Sequence, residues 1–154
     1  MQTFNEIKLA QELIRFPTIK TEDKGIMKFL SKRLSSIGFK CKIVKSKGTE
    51  SKPALNLYAK LGKSEPHINF LGHTDVVANL NYWKISPFKG VIKKGYLNGR
   101  GSQDMKGGIA CWISAVSSFI KKKKFKGSIS IIISADEDNV FIGAMSEIVE
   151  GVIV

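Results

Sequence analysis

Cysteine, histidine and proline are scarce in this chain of 154 residues, which holds two, two and four of them. Cys41 and Cys111 stand at no metal-binding spacing and have no evident reason to pair, which excludes a disulfide framework and a cysteine zinc site. A reduced, cytoplasmic setting is expected. No apolar run approaches the ~18–20 residues of a membrane-spanning helix. The start, Met1-Gln2-Thr3-Phe4-Asn5-Glu6, lacks the basic-then-apolar order of a secretory signal. No membrane partner is therefore expected. Acidic residues are few, 13 against 25 basic ones, for a net charge of +12. Nucleic acid is one candidate for such a charge, and steeply salt-dependent DNA binding would be its sign. The lysines are spread along the chain, however, and the only run, Lys121 to Lys124, comes with no binding motif. A solvated basic surface is the expectation, with no nucleic-acid partner. Internal repeats and low-complexity linkers are also lacking, so residues 1–154 read as one unit.

The apolar content, 43%, and the charged content, 25%, are those of a globular domain. Phe4, Ile7, Leu9, Leu13 and Ile14 form a helical stripe over 4–16, ended by Pro17. A second helix starts at Thr21 or Glu22, carries Ile26, Met27, Leu30, Leu34 and Ile37, and closes at Gly38. Strands are predicted over 40–44, 54–61 and 67–71, and an irregular stretch over 82–99 with a hairpin around Lys94-Gly95. A strongly apolar helix follows over 109–120, with lysines at the end where the helix dipole favours positive charge. Ser128-Ile129-Ser130-Ile131-Ile132-Ile133-Ser134 reads as a buried strand and 140–150 as a last helix. The order predicts an α/β fold, a mixed β-sheet flanked by helices. Ligands in such sheets sit beyond the carboxyl ends of strands, which is where the polar clusters fall.

Three clusters carry chemistry. A neutral imidazole is a common zinc ligand, and Asp75, two residues after His73, can share its face of a strand. Taken alone, the pair also reads as a strand-end histidine with a turn aspartate. Asp104 lies in Gly99-Arg100-Gly101-Ser102-Gln103-Asp104-Met105-Lys106-Gly107-Gly108, where glycines let the backbone approach closely. It is a candidate bridge between two metal ions, or simply the N-cap of the helix that follows. Asp136-Glu137-Asp138 follows a buried strand, and adjacent acids there can divide two tasks, metal ligation and general-base catalysis. An acidic surface loop is the plain alternative.

The combination is specific. Gly72-His73-Thr74-Asp75-Val76-Val77, Trp83 with Pro87-Phe88, Gly99-Arg100-Gly101 and Asp104-Met105-Lys106-Gly107-Gly108 resemble the motifs of the M20 metallopeptidase family. The opening Leu13-Ile14-Arg15-Phe16-Pro17-Thr18 is similar to the family's start, and the resemblance runs over essentially the whole chain. It implies that His73 ligates one zinc ion and that Asp75 orients it from behind. Asp104 would bridge two metals and precede a cis peptide, Glu137 would be general base and acid, and Asp138 would ligate the second metal. Relatives more often have Glu where Asp138 stands. The implied cofactor is a pair of Zn2+ ions per complete site, with Co2+ possible, and the implied reaction is hydrolysis of an amide in a small-molecule substrate. Deacylases and dipeptidases of the family share these motifs, so the acyl group stays open.

The resemblance further implies another acidic ligand, a lid or dimerisation domain through which full-length relatives are homodimeric, and a C-terminal histidine ligand. None of these is found by residue 154, so 1–154 is expected to be a partial catalytic domain. Each zinc would then have two protein ligands where catalytic zinc normally has three. Weak metal binding and little turnover by this chain alone are expected, with a complementing C-terminal chain as the rescue. A non-catalytic remnant that binds a partner is the competing expectation.

Overall fold

The apolar periodicity of the first forty residues becomes two helices. The computed structural model describes residues 2–47, 53–78, 81–122 and 124–137. Helix α1 spans Glu6–Ile14; the Asn5 side chain accepts the Lys8 N–H at 2.9 Å and caps its start. It buries Leu9, Ala10, Leu13 and Ile14, while Ile7, expected in the stripe, sits in the first turn and remains 47% exposed. Helix α2, Ile26–Ser35, begins later than Thr21 or Glu22. The Asp23 carboxylate fixes its start by accepting the N–H groups of Gly25 and Met27 at 2.7 and 3.0 Å.

Strand β1 is Lys40–Lys47, β2 Pro53–Gly62 and β3 His67–His73. A short hairpin, β4 (Val91–Lys93) and β5 (Tyr96–Asn98), turns at Lys94-Gly95 as its sequence predicts. Helix α3 is Lys106–Lys122, with Lys121 and Lys122 in its last turn, and β6 is Ser128–Ser134. The main sheet runs β1-β2-β6-β3. The first two pairings are antiparallel and β3 with β6 is parallel, so the sheet is mixed, as expected. The helix predicted over 140–150 lies outside the described residues.

Period-two burial explains which side packs. Ile129, Ile131 and Ile133 of β6 face the cluster built with Leu13 of α1, Leu30 of α2 and Ile109 and Ile113 of α3. Ile132 points the other way, to Val44, Tyr58 and Leu71. Burying each such Leu or Ile contributes about 1.5–3 kcal/mol, which makes this sheet–helix seam the main source of stability. Phe70 and Trp112 stack at 5.2 Å between ring centroids and tie β3 to α3.

One topological fact positions the site. Because β3 and β6 are parallel and α3 carries the chain between them, their carboxyl ends lie side by side, His73 opposite Ser134. The Thr74 N–H donates to the Ser134 carbonyl at 2.8 Å and extends the pairing into the loops beyond.

Candidate metal centre

At that end of the sheet the chain places His73, Asp75, Asp104 and Glu137 around one imidazole. The His73 side chain is 9% exposed, and its Nε2 lies 3.1 Å from Asp104 Oδ1 and 3.5 Å from Glu137 Oε2. On the other side of the ring, Nδ1 lies 3.3 Å from the Asp75 carbonyl oxygen and 3.4 Å from Asp75 Oδ1. Donor atoms of His73, Asp104 and Glu137 lie within 4.8 Å of one another, close enough to share one cation. Asp138 falls outside the described residues.

Asp104 is not the helix cap that a lone acid before a helix suggests. Helix α3 begins at Lys106 after a cis peptide between Asp104 and Met105, as the family resemblance implies. The Asp104 side chain is 77% exposed and turns to His73. Gly107 makes this turn possible, because a Cβ there would stand 2.1 Å from the Ser102 carbonyl oxygen. Glu137 is 60% exposed and leaves β6 through Ser134, whose hydroxyl accepts the Asp136 N–H at 3.1 Å.

Carboxylates on both sides of the His73 ring favour positive charge at this point. His73 is pushed up from 6.5 to about 9 by the Asp75 carboxylate at hydrogen-bonding range. Burial opposes the shift, while the charge of Asp75, the hydrogen bond to Asp104 and the charge of Glu137 add to it. Asp75 Oδ1 is buried and makes no well-directed hydrogen bond. A buried carboxylate oxygen facing an imidazole nitrogen fits a histidine whose other nitrogen binds a metal, since a bound metal needs that orienting partner. One imidazole nitrogen and two exposed carboxylates also form a donor set suited to zinc. The residues present therefore fit a divalent cation at the Nε2 side of His73.

These groups open onto a cleft of about 620 Å³. Lys20, Trp83 and Arg100 also line it, the Arg100 guanidinium 5.6 Å from the Trp83 ring centroid. Two contributors escaped the reading of motifs. Lys106, inside a quoted motif, is fully buried, and its Nζ donates to the Phe16 carbonyl at 2.7 Å. Burial lowers Lys106 from 10.5 to about 8, against the pull of the Asp75 charge. Thr18, in the opening segment, donates its hydroxyl to the Thr74 carbonyl and so braces the residue before Asp75. Both act through backbone carbonyls, which side-chain patterns do not reveal.

The mixed sheet carries a histidine and acids at the carboxyl ends of its parallel strands, an arrangement suited to holding a metal ion. The family model for peptidase family M20/M25/M40 matches residues 70–153, and the chain belongs to that family. Membership of this metallopeptidase family implies a divalent metal. The chain is 51% identical over 153 residues to succinyl-diaminopimelate desuccinylase of Pelagibacter ubique, covering 97% of itself and 40% of that protein. It is 46% identical over 134 residues to the desuccinylase of Ehrlichia canis, covering 86% of itself and 35% of that protein. The chain thus spans about two fifths of the length of the curated relatives it matches. Among solved structures, the M20 family metallo-carboxypeptidase Sso-CP2 of Sulfolobus solfataricus superposes with a TM-score of 0.81 at 19% identity. That match covers 95% of this chain and 34% of the carboxypeptidase, and it supports the fold.

Proposed function

We propose that residues 1–154 form part of the catalytic domain of a zinc-dependent succinyl-diaminopimelate desuccinylase. The reaction would be hydrolysis of N-succinyl-L,L-diaminopimelate to succinate and L,L-diaminopimelate, a step of lysine biosynthesis in the cytoplasm. The observation that carries the reading is the convergence of His73, Asp104 and Glu137 within 4.8 Å at the cleft. The desuccinylase names of relatives up to 51% identical narrow it to one amide.

His73 and Asp104 would hold one zinc, and Asp104 with Asp138 a second, with Co2+ as a replacement. Zinc in such a site lowers the pKa of water and polarises a carbonyl oxygen. Asp75 keeps the His73 ring turned so that Nε2 faces the cleft. Glu137, exposed beside Nε2, would take a proton from water and return one to the departing amine, as general base and then general acid. Lys20 and Arg100 put positive charge on the cleft wall, which suits a substrate rich in carboxylates.

The test is calorimetric titration of the chain with Zn2+, beside Asp104→Ala and Glu137→Ala, together with hydrolysis of N-succinyl-L,L-diaminopimelate. Zinc uptake lost in Asp104→Ala supports the metal assignment. Zinc uptake unchanged in that variant removes Asp104 from the site. Hydrolysis of an acetylated or dipeptide substrate in preference to the succinylated one would overturn the substrate and leave the metal reading standing.

A further inference from the structure

Behind the residues that face the cleft, one charged side chain is fully enclosed. Lys106 opens helix α3, is 0% exposed and heads the large buried side chains among the described residues. An ammonium is among the costliest groups to bury, and a methionine of similar shape would fill the same space without that cost. A charge kept in such a place points to a use for the charge.

Two other segments meet on it. Its Nζ donates to the Phe16 carbonyl at 2.7 Å, and that carbonyl also accepts the Thr18 N–H at 2.9 Å. Its stem lies against Gly101, where an added Cβ would be 3.1 Å from Lys106 Cδ. Thr18 then brackets Asp75: its hydroxyl donates to the Thr74 carbonyl and its own carbonyl accepts the Val76 N–H at 2.9 Å. Asp75 is thus held from both neighbours by Thr18, and the turn of Thr18 is held by Lys106.

We propose that Lys106 is a positioning residue of the metal site: its ammonium fixes the 16–18 turn and, through Thr18, the Thr74-Asp75-Val76 segment, so that Asp75 presents its carboxylate to His73 Nδ1. Lys106 touches neither metal nor substrate; it acts two contacts away. The inference rests on the metal reading of His73 for its binding consequence and on geometry alone for its effect on the imidazole.

Lys106→Met keeps length and volume and removes the charge. In the metal-free chain, the His73 imidazole nitrogen resonances, compared at one pH, report the contact with Asp75. They shift in Lys106→Met, and zinc affinity by chelator competition falls at least about tenfold, the scale of a lost orienting partner. A folded Lys106→Met with wild-type His73 resonances and wild-type zinc affinity overturns the proposal. Should that variant not fold, the wild-type Lys106 Nζ resonance decides, followed during zinc addition and compared with Asp75→Asn. Movement in either comparison supports the coupling, and a resonance unmoved by both overturns it. A wild-type chain that takes up no zinc strikes the metal reading alone, because the His73 and Asp75→Asn comparisons need no metal.

Discussion

His73 presents one imidazole nitrogen to each of two carboxylates, Nε2 to Asp104 at 3.1 Å and Nδ1 to Asp75 at 3.4 Å. The two acids differ in setting. Asp104 is 77% exposed at the cleft and Asp75 17% exposed behind the ring. The difference in exposure suits the proposed reading, in which Asp104 meets a cation and Asp75 orients the His73 ring.

A pH profile follows from the same pair and from Lys106. The metal-free imidazole holds its proton up to about pH 9, against 6.5 for an unperturbed histidine. Its folded-state pKa is raised, so its contribution to stability is fully present below pH 6.5 and is lost as pH climbs through 9. The shift corresponds to on the order of 3 kcal/mol. Lys106 runs in the opposite sense: its folded pKa is lowered from 10.5 to about 8, so a folding penalty is lifted as pH rises from 8 to 10.5. Urea unfolding of the metal-free chain should show stability falling from pH 6.5 to 8, a minimum between 8 and 9, and recovery above. His73→Asn should abolish the fall and Lys106→Met the recovery. A stability that rises steadily from pH 6.5 would contradict both assignments.

Asp75→Asn should weaken zinc binding by about 10–100-fold, the cost of losing a carboxylate behind a ligating histidine. The amide is nearly isosteric, so the fold should survive and circular dichroism should not change. Competition with a chromophoric chelator measures the affinity. An Asp75→Asn chain that binds zinc as wild type does would show that the carboxylate does not orient His73.

Glu137 can be read as a base or as a ligand, and Glu137→Gln separates the two. A general base contributes about 10²–10⁴-fold to rate. As a base, its replacement should remove hydrolysis on that scale, assayed with a complementing C-terminal chain, while zinc affinity changes less than about threefold. As a ligand, its replacement should lower zinc affinity in parallel with rate. The distance of 3.5 Å between Glu137 Oε2 and His73 Nε2 allows either outcome, so the paired measurement carries the decision.

Much of this was legible in the sequence, for definable reasons. The strand 128–134 is buried at every position, and its four isoleucines with only small serines among them announce that burial directly. The hairpin at Lys94-Gly95 was legible because both residues adopt positive φ, a demand that glycine advertises. The start of α2 was misjudged because Asp23 caps it through two backbone donors, and helical periodicity gives no sign of where a cap competes with one more turn. At the site, His73, Asp75, Asp104 and Glu137 stand out in the sequence through the combination of their motifs and its family resemblance, and the structure brings these four side chains together. Thr18 and Lys106 were missed because their work is done on the carbonyls of Thr74 and Phe16, which any residue supplies.

Two adjacent glycines give the sharpest stability test. At Gly107 an added Cβ would stand 2.1 Å from the Ser102 carbonyl oxygen, a backbone atom that can retreat only by moving the 101–104 turn. At Gly108 the nearest atom to an added Cβ is Met105 Cε at 4.0 Å, an ordinary contact with a flexible tip. Gly107→Ala should therefore lose about 1–3 kcal/mol, the usual cost of overpacking. Gly108→Ala should be neutral or gain up to about 1 kcal/mol from helix propensity in α3. Urea unfolding of both variants measures the difference. Because the same turn carries Asp104, Gly107→Ala should also weaken zinc binding, while Gly108→Ala leaves it at the wild-type level. Equal stability of the two variants would mean that the close approach of α3 to Ser102 does not exist in solution, and with it would go the geometry that turns Asp104 toward His73.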